Sequence, residues 1–441
     1  MTGQQTQQAP ASPALPGPDD TLRQRLSNGV TLLVRENFAS PAVVVTGYLR
    51  AGSRDEPPGK HGLAGFATDV MERGTETHGF DELYETVESI GAGFGLGSGV
   101  HITSFGAKGL AEHLPLLLDI LGDVLRRPTF EARQVEKARA EILTDLQERD
   151  NDSRRQARLK FYELAYPPEH PYHWSQLGYP ETVAAITRDD LAGYHAANFS
   201  PAGMVVVIVG GIETAAAVEA AETAFGGWDT TRAERQPLAP APQLTERRES
   251  RVLLEDKSQS SLCLGWPGPP RAHPDFITAH VANTILGVFG MYGRLGQRVR
   301  EEHGLAYYVH SRVDGGAGPG PWRVTAGMDP ANVAQGCDLI LETLDELRNT
   351  PVPVDELNDS QSFLSGSLPL YLESNEGVAR SLVNIERYSL GLDYLQRYAA
   401  MIKSVTPEQV QAVAQQWLDT DSFVLTVAGP ETPTGSVADD G

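Results

Sequence analysis

Cysteine is nearly absent. Two residues in 441, Cys263 and Cys337, can form neither a disulfide framework nor a four-thiolate zinc site. Both read as reduced core residues in a reducing, cytoplasmic compartment. Positive charge is also scarce, with 36 Lys+Arg against 58 Asp+Glu and a formal net charge of −22. That balance argues against a nucleic-acid partner held by phosphate neutralisation and against a surface that adheres to anionic lipid. Basic or neutral peptides suit such a field better. Long apolar runs are missing too: the stretch 204–209 falls far short of the ~20 residues that span a bilayer. The first twenty residues carry no Lys, Arg or apolar block, which argues against a secretory signal or an Arg-rich transit peptide. No G-x-S-x-G elbow, Walker loop or dinucleotide fingerprint occurs. The glycines at 93, 95, 97 and 99 and at 287, 290 and 293 lack the strand-then-helix context for phosphates, and read as loop positions with positive φ.

The residues that are present suffice for packed domains. Hydrophobic residues make up 40% and charged residues 21%, too apolar for a disordered chain. A polar Gln/Pro/Ala/Ser leader covers 1–20. Strand patterns occur at 30–34, 42–49 and 204–209, with helix patterns at 62–73, 81–91, 109–126 and 131–150. In the third of these helices Leu114, Leu117, Leu118, Leu121 and Leu125 form one stripe, the spacing of a core-facing helix. A Pro-rich polar stretch at 226–250 reads as a linker. The half of the chain after this linker repeats the half before it at an offset of about 220 residues, well beyond solenoid periods. A strand leads to a helix at 275–287, as the strand at 45–49 leads to 62–73. The segment 324–356 reads strand, amphipathic helix, Leu-Arg, Pro and acid-started helix, as 103–131 does. The expected fold is α+β: two homologous domains, 21–225 and 251–430, each a mostly antiparallel sheet packed with helices, with a tail at 431–441.

In helix 62–73, Leu63, Phe66, Ala67, Val70 and Met71 make the buried face and Gly65, Thr68, Asp69 and Glu72 the opposite stripe, with Asp69 and Glu72 expected on a solvated face. The run from Gly52 to Thr75, containing His-Gly-Leu-Ala-Gly-Phe-Ala-Thr-Asp, resembles the pitrilysin/insulinase (inverzincin) zinc peptidases, which carry H-x-x-E-H in this helix. Glu169-His-Pro-Tyr172, Leu177-Gly178, Asn198-Phe-Ser-Pro201 and the segment from Arg300 to Tyr308 look like further landmarks of that family in its order. The departure is sharp. In the frame of H-x-x-E-H stand Gly65, Thr68 and Asp69, so both imidazoles and the general base are gone; Glu141 falls where the resemblance places a third ligand. Asp69 and Glu141 alone make a poor zinc site, and His61 lies too far along the helix to join Asp69. No metal site is expected in this chain. His170 and His173 read as a surface loop.

A second pair stays competent. Arg300 falls in the last turn of a helix pattern running from Tyr292 to His303 and ended by Gly304. Tyr307 falls in an alternation of Leu305, Tyr307, Val309, Ser311 and Val313. The resemblance implies that such an Arg and Tyr face a zinc site across a cavity, the Tyr stabilising an oxyanion and the Arg binding substrate backbone. It also implies split pairs, in which one chain bears zinc and its paralogue supplies Arg and Tyr in trans. The expected partners are therefore a zinc-bearing paralogous subunit, or a second copy in a homodimer, and a peptide; zinc is expected only in the partner. A scaffold role, as in respiratory-complex core subunits of the family, is the alternative. Peptide would bind by strand addition, with 98–103 as the candidate edge, and the Gly-rich stretch 314–321 reads as a hairpin connection.

Overall fold

In the computed structural model, residues 15–238, 240–241, 243–288 and 293–431 are described. The start of the expected leader, most of the tail, Gly290 and Tyr292 lie outside them. One sheet holds β1 (Leu22–Arg25), β2 (Thr31–Glu36), β3 (Ala42–Leu49), β4 (Gly93–Ser98), β5 (Thr103–Leu110) and β6 (Val205–Gly210), in the order β1-β2-β6-β3-β5-β4. The other holds β7 (Arg248–Leu253), β8 (Ser260–Pro267), β9 (Ala306–Val313), β10 (Pro321–Met328) and β11 (Val424–Gly429), in the order β7-β11-β8-β10-β9. Strand for strand, β2-β6-β3-β5-β4 has the same topology as β7-β11-β8-β10-β9. In each, one pair is parallel, β2 with β6 and β7 with β11, and the rest are antiparallel. The chain is a duplicated α+β fold.

Local pattern explains most elements. The β-branched run Val-Val-Val-Thr in β3 sits inside the sheet, with its three valines buried. Helix Leu114–Arg126 buries its leucine stripe as spaced; it starts later than 109 because β5 continues to Leu110. The glycine run is not a loop. Gly93–Ser98 is a strand in which Phe94 and Leu96 pack on the core while Gly93 and Gly95 leave the opposite face bare, and among the run's glycines φ is not positive. Alternation, read from the two apolar residues, outweighs the loop preference of glycine. Gly287 likewise has φ −166°; it allows close approach to Gly293 and to the Ser311 backbone, where a Cβ would collide.

Each sheet is covered on its second face by a helix from the other half of the chain. Helix Ser153–Ala165, N-terminal in sequence, lays Ala157, Phe161 and Ala165 on Cys263, Val424 and Ala428 of the second sheet. The Thr426 hydroxyl donates to the Ala157 carbonyl at 2.7 Å. Helix Asn375–Arg387 returns the exchange, packing Val378, Ala379 and Leu382 on Val44, Tyr48, Val205 and Val207 of the first. Within the expected linker, residues 232–236 are strapped down: Arg232 (2.6 Å) and Arg235 (3.0 Å) both clasp Asp55, and Arg54 donates to the Gln236 carbonyl. Both cysteines are buried and free. Among the described residues no helix is long and apolar enough to cross a membrane.

Candidate functional site

Helix Leu63–Met71 is entered through Gly62 in the left-handed region (φ +96°), where the chain touches Gly178. Its first N–H groups are satisfied by Glu56, which accepts from Ala64 at 2.8 Å and from Gly62 at 3.3 Å. Burial pushes the Glu56 carboxyl up to about 8 despite those two donors. One turn on, Thr68 is buried and bonds back to the Ala64 carbonyl at 2.8 Å, an ordinary use of a mid-helix hydroxyl. Gly65 and Asp69 border a cavity of about 320 Å³ with Glu141, which comes from helix Ala132–Asp150.

A cation already stands between the two carboxylates. The Arg73 guanidinium lies 3.0 Å from Asp69 and 2.5 Å from Glu141, and it holds the Glu141 carboxyl below its usual range. Zinc therefore does not fit these residues: the imidazoles are missing, and both acids are already paired with a guanidinium whose side chain is only 11% exposed. Among the described residues no group of three or more His, Cys, Asp or Glu could hold a metal ion. Sequence reasoning missed Arg73, although its position four residues after Asp69 on a helix is a signal for an ion pair.

Glu72 is not on a solvated face. Its carboxylate turns inward and accepts the Leu96 N–H of β4, and burial pushes it up to about 7. Because β4 is an edge strand, this N–H is one of the donors an added strand would use. The stretch 98–103 is the β4–β5 turn rather than the edge, with His101 buried and hydrogen-bonded to the Tyr172 hydroxyl at 2.7 Å. His170 is also buried, stacked on Tyr166 at 4.9 Å between centroids, while His173 Nδ1 lies 2.8 Å from the Tyr166 carbonyl. These histidines pack an aromatic cluster, which the spacing in sequence could not reveal.

In the second half, Arg300 sits in a π-helical segment, Gly296–Glu302. Gly304 (φ +64°) ends it with its N–H on the Arg300 carbonyl at 3.0 Å. Arg300 is half-exposed, with Glu301 no nearer than 3.9 Å. Tyr307 is 63% exposed, contrary to the alternation that grouped it with Val309, Ser311 and Val313. A β-bulge is the cause. Gly327 pairs with Tyr308 and Met328 with Ala306, so Tyr307 is the extra residue and is thrown out of the core-facing row. β9 is an edge strand of its sheet. Neither Arg300 nor Tyr307 lines the cavity over Asp69.

Known proteins resemble this chain in sequence and in fold. Residues 32–167 match the family described as Insulinase (Peptidase family M16), and residues 185–364 match the Peptidase M16 inactive domain. The chain is 27% identical over 420 residues to the Bacillus subtilis uncharacterized zinc protease YmxG, covering 92% of this chain and 98% of that one. It is 28% identical over 280 residues to bovine mitochondrial cytochrome b-c1 complex subunit 1, covering 62% and 57% respectively. In fold it is similar to the peptidase M16 inactive domain from Pseudomonas fluorescens, with TM-score 0.87, 23% identity and coverage of 93% and 98%. A protease from Helicobacter pylori gives TM-score 0.86 at 19% identity, covering 95% and 100%. With both halves matched in order and the duplicated topology shared, the chain belongs to the insulinase (M16) peptidase family.

Proposed function

We propose that this chain is the non-zinc-binding subunit of a heterodimeric M16 metallopeptidase, binding peptide and presenting Arg300 and Tyr307 in trans to a zinc-bearing paralogue. The observation that carries the reading is the contrast between the two sites. The metal position is closed by Arg73, while a bulge keeps Tyr307 out of its own core and on the surface. Metal chemistry then belongs to the partner. This chain's part is to offer a guanidinium to the substrate backbone and a phenol O–H to the oxygen on which negative charge develops. The chain alone is expected to show no chelator-sensitive hydrolysis of peptides. Mixed with a paralogue carrying H-x-x-E-H, it is expected to restore turnover, and Tyr307→Phe in the pair to lower kcat about a hundredfold. Chelator-sensitive cleavage by the single purified chain would overturn the reading.

The similarity to a cytochrome b-c1 subunit favours a second reading, an inert scaffold or peptide-binding protein of the same fold. Full turnover by a pair lacking Arg300 and Tyr307 would select it.

A further inference from the structure

We propose that the cavity between helix Ser153–Ala165 and the β9–β10 hairpin is a subsite for acidic peptide side chains, with Arg158 as its free carboxylate-binding group. The proposal rests on the peptide-binding reading above and names the substrate class that this chain selects.

The cavity measures about 600 Å³, and its walls carry five arginines against a single lining carboxylate, Asp314. In a chain of net charge −22 that local inversion is not a background effect. The arginines are unevenly partnered. Arg149 pairs with Asp150 at 2.8 Å, and Arg155 with Asp145 at 2.7 Å. Arg312 and Arg323, facing each other across the hairpin, share Asp314. Among the described residues Arg158 has no carboxylate partner. By direct ion pairs, five guanidinium groups meet three carboxylates, and Arg158 is the one with no pair of its own. His310, in the same outward row of β9 as Arg312, feels this field. Burial depresses its pKa, and Arg154, Arg323 and Arg312 push it the same way.

Place and shape favour a peptide as the source of the carboxylate. Gln176 and Leu177 wall both this cavity and the one over Asp69, so an extended chain bound here passes beside the closed metal position. Leu159, Tyr162 and Trp174 offer apolar surface to side-chain methylenes, and the hairpin glycines let a main chain come close. A long polyanion such as nucleic acid meets the repulsion of the whole chain, whereas a few carboxylates inside the cavity are governed by charges within a Debye length of about 8 Å. The overall acidity, which taken alone points to basic or neutral peptides, therefore does not set the preference inside the cavity.

The test is fluorescence anisotropy on the full chain with labelled peptides of equal length, one rich in Asp and Glu, one uncharged and one rich in Lys. The acidic peptide is expected to bind tightest and to weaken with salt. Arg158→Gln is expected to cost it about tenfold in Kd and the uncharged peptide nothing, with Arg158→Lys recovering part of the loss. Arg158 is exposed on its helix, so its replacement leaves the fold intact. Equal or tighter binding of the Lys-rich peptide, or an unchanged Kd in Arg158→Gln, overturns the subsite while leaving peptide binding standing. Absence of binding by all three peptides overturns the peptide-binding reading itself, and the subsite with it. Tighter binding of a single-stranded oligonucleotide than of the acidic peptide overturns the assignment to peptide.

Discussion

Arg73, in the turn just past helix Leu63–Met71, reaches Glu141 at 2.5 Å on helix Ala132–Asp150 while pairing with Asp69 in the last turn before it. The guanidinium supplies the positive charge that the two carboxylates require, so rebuilding the family motif has to contend with it. Gly65→His, Thr68→Glu and Asp69→His together restore the ligand types, but Glu141 remains held by Arg73. The triple variant is expected to bind Zn²⁺ about tenfold more weakly than the same variant with Arg73→Ala added. Competition against a chelator of known affinity measures this. Equal affinities would show that Arg73 does not obstruct the position.

Glu72 and Leu96 give a pH-dependent stability. The Glu72 carboxyl is raised to about 7 in the folded chain against 4.5 for the ordinary group, because it is buried against β4. Between those pH values the folded state binds more protons than the unfolded one, so stability falls as pH rises through the window and stays lowered above it. Glu72→Gln keeps an oxygen for the Leu96 N–H and removes the charge. It is expected to raise stability at pH 8 by on the order of 1–2 kcal/mol, read as a higher melting temperature, and to change little at pH 4. Melting curves at the two pH values decide it; a variant destabilised at both would show that the charge itself is needed.

The duplication, the leucine stripe of helix Leu114–Arg126 and the displacement of Gly65, Thr68 and Asp69 from a metal-binding pattern are legible in the sequence because each is a matter of spacing within a short segment. The Arg73–Glu141 contact is not, since it joins positions 68 residues apart through tertiary packing. Nor is the outward Tyr307: alternation in β9 puts it with Val309, and only the register with β10 shows the bulge. The glycine run in β4 misleads for a related reason, because the weak alternation of Phe94 and Leu96 becomes a strand only through pairing with β5.

The exchanged helices make the two halves one folding unit despite the linker between them. Phe161, fully buried, belongs to the first half by sequence and to the core of the second by packing. Phe161→Ala is expected to cost about 3–5 kcal/mol and to lower a single cooperative transition, not that of one half alone. A fragment ending at residue 225 leaves Leu33, Val44 and Tyr48 without their cover and is expected to aggregate. Calorimetry of the variant and solubility of the fragment are the measurements. Two resolved transitions in the intact chain would contradict the account.

The bulge at Tyr307 depends on the residue that opposes it. Gly327 pairs with Tyr308 next to the register shift, and a Cβ there would run into the Tyr308 ring, which also stacks under Arg154 at 4.2 Å. Gly327→Ala must therefore move β9 or the ring. It is expected to destabilise by about 1–3 kcal/mol and, in a reconstituted pair, to lower kcat more than it raises KM, because the displaced residue is the neighbour of the hydroxyl donor. Tyr307→Phe provides the control: the ring is 63% exposed, so its stability is expected to stay within about 0.5 kcal/mol of the parent while turnover falls. If Gly327→Ala lost stability with turnover unchanged, the bulge would be a packing feature of β9 and would have no part in aiming Tyr307.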